Sequence, residues 1–170
     1  GAVVCADYVT TVSPNYAKEI QTETYSCGLH HILRQYSYKI GGIINGIDEA
    51  VYNPKNDLDI PFTYTNRGLA GKKRDKEELQ KEFGLNVDPD VPVIAMVSRL
   101  AEHKGFDLVK HVFDDIIATD MQVVILGSGE QHYEDFFQEM HYRYPDKVGF
   151  YRGYNPQLAK RLYAGADMFL

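Results

Sequence analysis

Tryptophan is absent from this chain of 170 residues, and cysteine is nearly so, with only Cys5 and Cys27. Two thiols so far apart supply neither a disulfide scaffold nor a cysteine-rich metal site, and they read as reduced thiols of an intracellular protein. A basic excess is lacking too. Lys and Arg number 18 against 24 Asp and Glu, a formal charge of −6 that argues against non-specific binding to nucleic-acid backbones. No apolar run approaches the ~18 residues of a membrane span, and no basic-then-apolar leader opens the sequence. The six histidines, with His30 and His31 adjacent, never take a spacing such as HExxH, so no metal is expected. Walker loop, nucleophile elbow and solenoid-length repeat are likewise missing. What remains is a folded domain or more: 44% hydrophobic and 25% charged residues supply a core and argue against disorder.

What is present is alternation. Residues 92–97 form a continuous apolar run, as suits a strand buried on both faces. Val109, Val112, Phe113, Ile116 and Ile117 then keep helical spacing. Residues 122–126 repeat the strand signal, and Tyr133, Phe136, Phe137, Met140 and Tyr144 repeat the helical one. A third strand is read at 148–151, followed by a helix capped by Asn155, begun by Pro156 and ended near Gly165. Residues 166–170 read as a strand just beginning. Asp75 and Glu78 match a capping box that should open a short helix closed by Gly84. This order predicts an α/β fold with a parallel sheet between helices, in which ligands bind beyond the carboxyl ends of the strands. Residues 98–105, 127–130 and 152–155 are the loops at that edge.

Residues 1–53 follow another pattern. Val3-Val4 and residues 8–12 read as strand material, and Ser13-Pro14 as the start of a helix bearing Tyr16, Ala17 and Ile20. Leu29, Ile32, Leu33 and Tyr36 suggest a further helix. This segment buries too little to be a domain by itself. Residues 54–76 carry Pro54, Pro61, Gly68, Gly71 and the cationic Lys72-Lys73-Arg74, and read as a linker to a unit at 77–170. Both ends look like cuts through folded protein, which would leave apolar faces open to self-association.

Three short motifs could carry chemistry. Arg99 and Lys104 stand beside Gly105 where a strand gives way to a helix, a junction whose free N–H groups favour anions. A planar guanidinium and a compact ammonium suit a diphosphate; a solvated loop pair, salt-bridged to Glu102, explains the same residues. Gly127-Ser128-Gly129-Glu130 permits a tight turn and close approach of a ligand, or is simply a turn. It is no dinucleotide fingerprint, since His132 and Tyr133 occupy the place of a third glycine. Asn45-Gly46-Ile47-Asp48 has the form of a type I′ hairpin turn, although a hinge or ligand-facing turn fits as well, because no partner strand is visible.

Taken in order, these segments resemble one family. Residues 6–14 (ADYVTTVSP) with Tyr16, Ala17, Glu19 and Ile20, then Gly42-Ile43-Ile44-Asn45-Gly46-Ile47-Asp48 with Tyr52-Asn53-Pro54, resemble segments of bacterial glycogen synthases and plant starch synthases. So do Ser98-Arg99-Leu100 with Lys104-Gly105-Asp107-Leu108, the 127–130 turn with Tyr133-Glu134, Gly153-Tyr154, and Ala164-Gly165-Ala166-Asp167. The resemblance implies a GT-B fold of two Rossmann-like domains, of which this chain would hold the end of the first and half of the second, truncated at both ends. It implies retaining transfer of glucose from ADP-glucose to the non-reducing end of an α-1,4-glucan, with nucleotide-sugar and glucan as partners and no membrane or nucleic acid. It also implies a cytoplasmic location in a bacterium, or a plastid in a plant. By position, Arg99 and Lys104 would be catalytic, gripping the diphosphate, and Asn45, Ser98, His103, Gly127, Gly129 and Tyr154 would bind the substrate. His103 departs from a frequent glutamine, and Tyr52 stands where a tryptophan is usual. A UDP- or GDP-sugar enzyme of the same fold, or a non-catalytic nucleotide-binding module, are the alternatives. The family's lysine-containing glycine loop and its acidic E.CG segment are not in these 170 residues. The chain by itself is therefore expected to have no synthase activity, and glucose incorporation into glycogen by these residues alone is the measurement that checks it.

Overall fold

Lys39 ties together the first of two units into which the chain divides, Gly1–Asp48 and Glu49–Leu170, in a computed structural model that describes every residue from Gly1 to Leu170. The first unit contains α1 (Ala2–Cys5), β1 (Val9–Thr11), α2 (Pro14–Glu19), α3 (His30–Gln35), a 3-10 turn (Ser37–Lys39) and β2 (Ile40–Gly42). The buried Lys39 ammonium donates to the carbonyls of Val4, at 3.0 Å, and Ala6, at 2.6 Å. Val3-Val4, expected as strand, therefore lie in a helical turn. Two β-branched residues point to extended backbone, but a lysine far along the chain satisfies the carbonyls that the end of the turn leaves free. Strands β1 and β2 pair in parallel, Val9 opposite Ile40 and Thr11 opposite Gly42. Ser13 caps α2 as its sequence suggested, its Oγ accepting from the N–H groups of Asn15 and Tyr16 at 3.1 and 3.3 Å. Residues 43–48 carry no regular structure, and Gly46 lacks the positive φ that a type I′ turn requires.

The second unit holds α4 (Ala70–Glu82), β3 (Val93–Val97), a 3-10 turn (Glu102–Lys104), α5 (Phe106–Ala118), β4 (Gln122–Gly127), α6 (Gln131–Arg143), β5 (Val148–Arg152), α7 (Pro156–Gly165) and β6 (Met168–Phe169). Its sheet has the order β5-β4-β3-β6 with every neighbour parallel. Strand β4 is buried at all six positions, and its pleat divides the apolar groups between two cores. Val123 and Ile125 join Met96, Phe113, Phe137 and Val148 on the side of α5 and α6. Val124 and Leu126 join Leu79, Val93, Leu158 and Leu162 on the side of α4 and α7. The expected doubly covered parallel sheet is what forms.

Helix α4 begins at Ala70, before the expected capping box. Asp75 sits in its interior, 2% exposed, and accepts the N–H of Phe62 at 2.9 Å instead of capping its own helix. Burial pushes its carboxyl above the usual carboxylate range. The stretch 54–76, read as a linker, is held within this unit. Ile60 is buried, Lys160 pairs with Asp57 and Asp59 at 3.1 and 2.8 Å, and the Arg74 guanidinium lies 3.5 Å from the centre of the Phe62 ring. These partners are up to 103 residues apart in sequence, so no local pattern announces them. Lys72 caps the end of α7 by donating to the carbonyls of Ala164 and Ala166 at 2.8 and 2.7 Å, and burial lowers its pKa. No helix is long and apolar enough to cross a membrane.

Leu162 is fully buried between α4, α7 and the sheet. Leu162→Ala should cost about 2–5 kcal/mol, read as a lower denaturant midpoint with an unchanged far-ultraviolet spectrum.

Candidate functional site

At the carboxyl edge of this sheet the β3–β4 pairing continues beyond the strands. Ser98 donates its N–H to the Leu126 carbonyl at 3.2 Å, Leu100 to that of Ser128 at 3.0 Å, and Glu130 to that of Leu100 at 2.8 Å. The two loops thus run side by side, close enough to dictate residue type. A Cβ on Gly127 would lie 2.1 Å from the Ser98 carbonyl oxygen, and one on Gly129 would lie 2.0 Å from that of Leu100. The glycines were expected to admit a ligand or a tight turn. What they admit is the neighbouring backbone. The loop after β5 joins through the Gly153 N–H, which donates to the Gly127 carbonyl at 3.0 Å.

These loops enclose a cleft of about 560 Å³. Ser98, Arg99, Gly127, Gly129 and Tyr154 all line it, five of the eight residues singled out from the sequence. Tyr154 is 89% exposed, its ring free at the mouth. Lys104 and His103 are exposed in the turn between Arg99 and α5, and the cleft lining does not include them. Gly105 follows with φ of 80°, a left-handed conformation that starts α5 and favours glycine. Asn45 is exposed in the first unit, within residues 43–48.

Helices α5, α6 and α7 start after these three loops, so their N-terminal N–H groups gather at one edge and favour negative charge there. Arg99 adds a formal positive charge to the cleft wall. Asn155 also lines the cleft, but its side-chain oxygen accepts the Leu158 N–H at 3.0 Å and is engaged in capping α7. Burial pushes the Tyr133 phenol up to about 12, helped by the nearby Asp107 carboxylate, so it stays neutral near pH 7 and is no proton acceptor. Sequence reasoning met Glu134 only as part of a family motif and passed over Arg152, and the two brace the site as a pair at 2.5 Å. Glu134 lies in the first turn of α6, four residues after the N-cap Glu130, a spacing that gathers two carboxylates at one helix N-terminus. That spacing was the available signal.

The chain is similar to glycosyltransferases of one family. The family model described as the starch synthase catalytic domain matches residues 1–35, and that of glycosyl transferases group 1 matches residues 75–170. The chain is 52% identical over its whole length to a glycogen synthase of Anoxybacillus flavithermus, covering 35% of that protein. It is 47% identical over its whole length to a glycogen synthase of Bacillus cereus, covering 36% of it. The chain thus spans about a third of the length of these curated relatives. Among solved structures, the catalytic domain of starch synthase IV from Arabidopsis thaliana, bound to ADP and acarbose, superposes with a TM-score of 0.93 at 33% identity. That match covers 99% of this chain and 35% of the plant protein. The Anabaena protein HepE, in complex with UDP and glucose, shares the fold at a TM-score of 0.54 and 18% identity over 96% of this chain and 37% of its own.

Because the Leu100 backbone occupies the space of a side chain at position 129, Gly129→Ala should destabilise the unit by about 1–3 kcal/mol through forced loop displacement. A lowered thermal midpoint relative to wild type is the measurement.

Proposed function

Since the chain belongs to the glycogen synthase and starch synthase family of group 1 glycosyl transferases, we propose that its second unit carries the donor-nucleotide site of an ADP-glucose-dependent glucosyltransferase. The reaction is retaining transfer of glucose to the non-reducing end of an α-1,4-glucan. One observation carries this reading: Ser98, Arg99, Gly127, Gly129 and Tyr154 converge on a single cleft at the carboxyl edge of a parallel sheet. That is where such sheets bind nucleotides.

In this reading Arg99 and Lys104 hold the diphosphate and offset the charge that builds on departing ADP. The work is electrostatic, and it requires cations set in place before the bond breaks. The N-terminus of α5, just after Lys104, adds its dipole to the same task. No metal is invoked. Ser98, His103, Tyr154 and the two glycines surround the nucleotide, and Asn45 is a candidate contact of the nucleotide-sugar by its place in the family's motif. A cytoplasmic location is part of this proposal, and the bacterial origin of the relatives supports it.

The test is donor titration of the full-length protein, with ADP-glucose against UDP-glucose, and calorimetry with ADP on wild type, Arg99→Ala and Lys104→Ala. ADP-glucose should be the better donor. Each substitution should weaken ADP by about tenfold to a hundredfold, the size of a hydrogen bond to a charged group. Equal heats for wild type and Lys104→Ala would remove the diphosphate assignment, and preference for UDP-glucose would remove the donor.

A further inference from the structure

On the first turn of α6 one carboxylate serves two loops. Glu134 is 5% exposed; it accepts the Gly129 N–H at 2.8 Å and pairs with the Arg152 guanidinium at 2.5 Å. Arg152 also donates to the Gln131 side-chain oxygen at 3.2 Å. Gly129 belongs to the loop after β4, and Arg152 ends β5 immediately before Gly153 and Tyr154. A buried carboxylate is costly unless it is paired and hydrogen-bonded, and here both partners are cleft loops. Its place near the N-terminus of α6 suits its charge. Glu130, one turn earlier, extends the arrangement to the loop after β3, since its carboxylate accepts the Glu102 N–H at 3.1 Å.

The chemistry of the pair is asymmetric. The Glu134 carboxylate is enclosed while the Arg152 side chain is 54% exposed. Removing the arginine leaves the acid with one partner fewer in a place water hardly reaches. Removing the acid frees both an amide and a guanidinium, and unties the 127–130 loop from the end of β5. Either change acts on the two loops that present Gly129 and Tyr154, and neither Glu134 nor Arg152 is itself part of the cleft lining.

We propose that Glu134 and Arg152 are a positioning pair, which holds the 127–130 and 152–155 loops in the form that accepts the nucleotide before it arrives. The proposal rests on the nucleotide-site reading above for its ligand, and on the loop geometry alone for its clamp. A preformed cleft binds without first ordering its loops, so losing the pair weakens binding without removing any contact. The ordering cost is the same whether the nucleotide is in the ground state or leaving. KM for the donor should therefore rise with the dissociation constant for ADP while kcat stays nearly constant.

The experiment uses the full-length protein as wild type, Glu134→Ala, Glu134→Gln, Arg152→Ala and the Glu134→Ala/Arg152→Ala double variant. Met140→Ala, a buried change at the far end of α6, serves as a stability control. Three quantities are read: hydrogen exchange at the Gly129 amide without ligand, ADP affinity by calorimetry, and KM and kcat for ADP-glucose. Glu134→Ala should speed Gly129 exchange by about tenfold or more. It should weaken ADP about 5- to 20-fold, roughly one charge-assisted hydrogen bond, with kcat within about twofold of wild type. Glu134→Gln, which keeps an acceptor for Gly129, should recover part of the loss. The double variant should lose no more than the worse single variant, because the two residues share one network. Wild-type ADP affinity in Glu134→Ala, or an equal loss of affinity in Met140→Ala, would overturn the positioning role. Unchanged Gly129 exchange would overturn the clamp itself. Failure of the wild type to bind ADP would strike the nucleotide reading, while the exchange data would still decide whether the clamp exists.

Discussion

Everything at the candidate site depends on the β3–β4 ladder being carried past the ends of both strands. The Leu100 N–H and carbonyl bond to Ser128 and Glu130, so two loops that could diverge are kept at strand spacing. Glycine at 127 and 129 is the condition for that closeness, because either Cβ would collide with a carbonyl oxygen of the opposite loop. Once the loops are parallel, Ser98 and Arg99 are presented beside the glycine turn, and the Gly127 carbonyl is free to receive the third loop through Gly153. The cleft is a consequence of backbone pairing before it is a property of any side chain.

The ladder holds because the sheet beneath it is packed on both faces. Strand β4 sends alternate residues into two separate apolar clusters, one under α5 and α6 and the other under α4 and α7. Three helices then start at the same edge as the cleft, since each follows a strand running in the same direction. Parallel topology and dipole alignment are one fact seen twice. An edge that collects helix N-termini with Arg99 and Lys104 favours an anion, as the proposed donor site requires.

Charged side chains act in this protein as long-range fasteners. Lys39 closes the first unit by holding the Val4 and Ala6 carbonyls. Lys72 caps α7 from α4, and Lys76 bridges the Pro89 carbonyl and Asp167. Asp75 turns from its own helix to the Phe62 amide, and Lys160 gathers Asp57 and Asp59. In each case the side chain satisfies backbone groups or charges that secondary structure leaves unpaired. Such ties explain how a segment rich in proline, glycine and charge, which reads as a linker, is drawn against a folded unit.

The amino-acid sequence by itself determined the strand–helix alternation, the caps at Ser13 and Asn155, and the three loops that form the cleft edge, because periodicity and capping are local. It also exposed the Arg99–Lys104 pair and both glycines, through residue types whose charge or size is unusual at a strand end. Only the tertiary structure decided that Val3-Val4 coil into a helix, that Asp75 is an interior residue of α4, and that the glycines at 127 and 129 make room for backbone. It alone revealed the joining of Glu134 to Arg152. The reason is physical. A period or a cap is written within a few neighbouring residues, whereas a buried lysine or carboxylate finds its partner through packing, at a separation that no local pattern encodes.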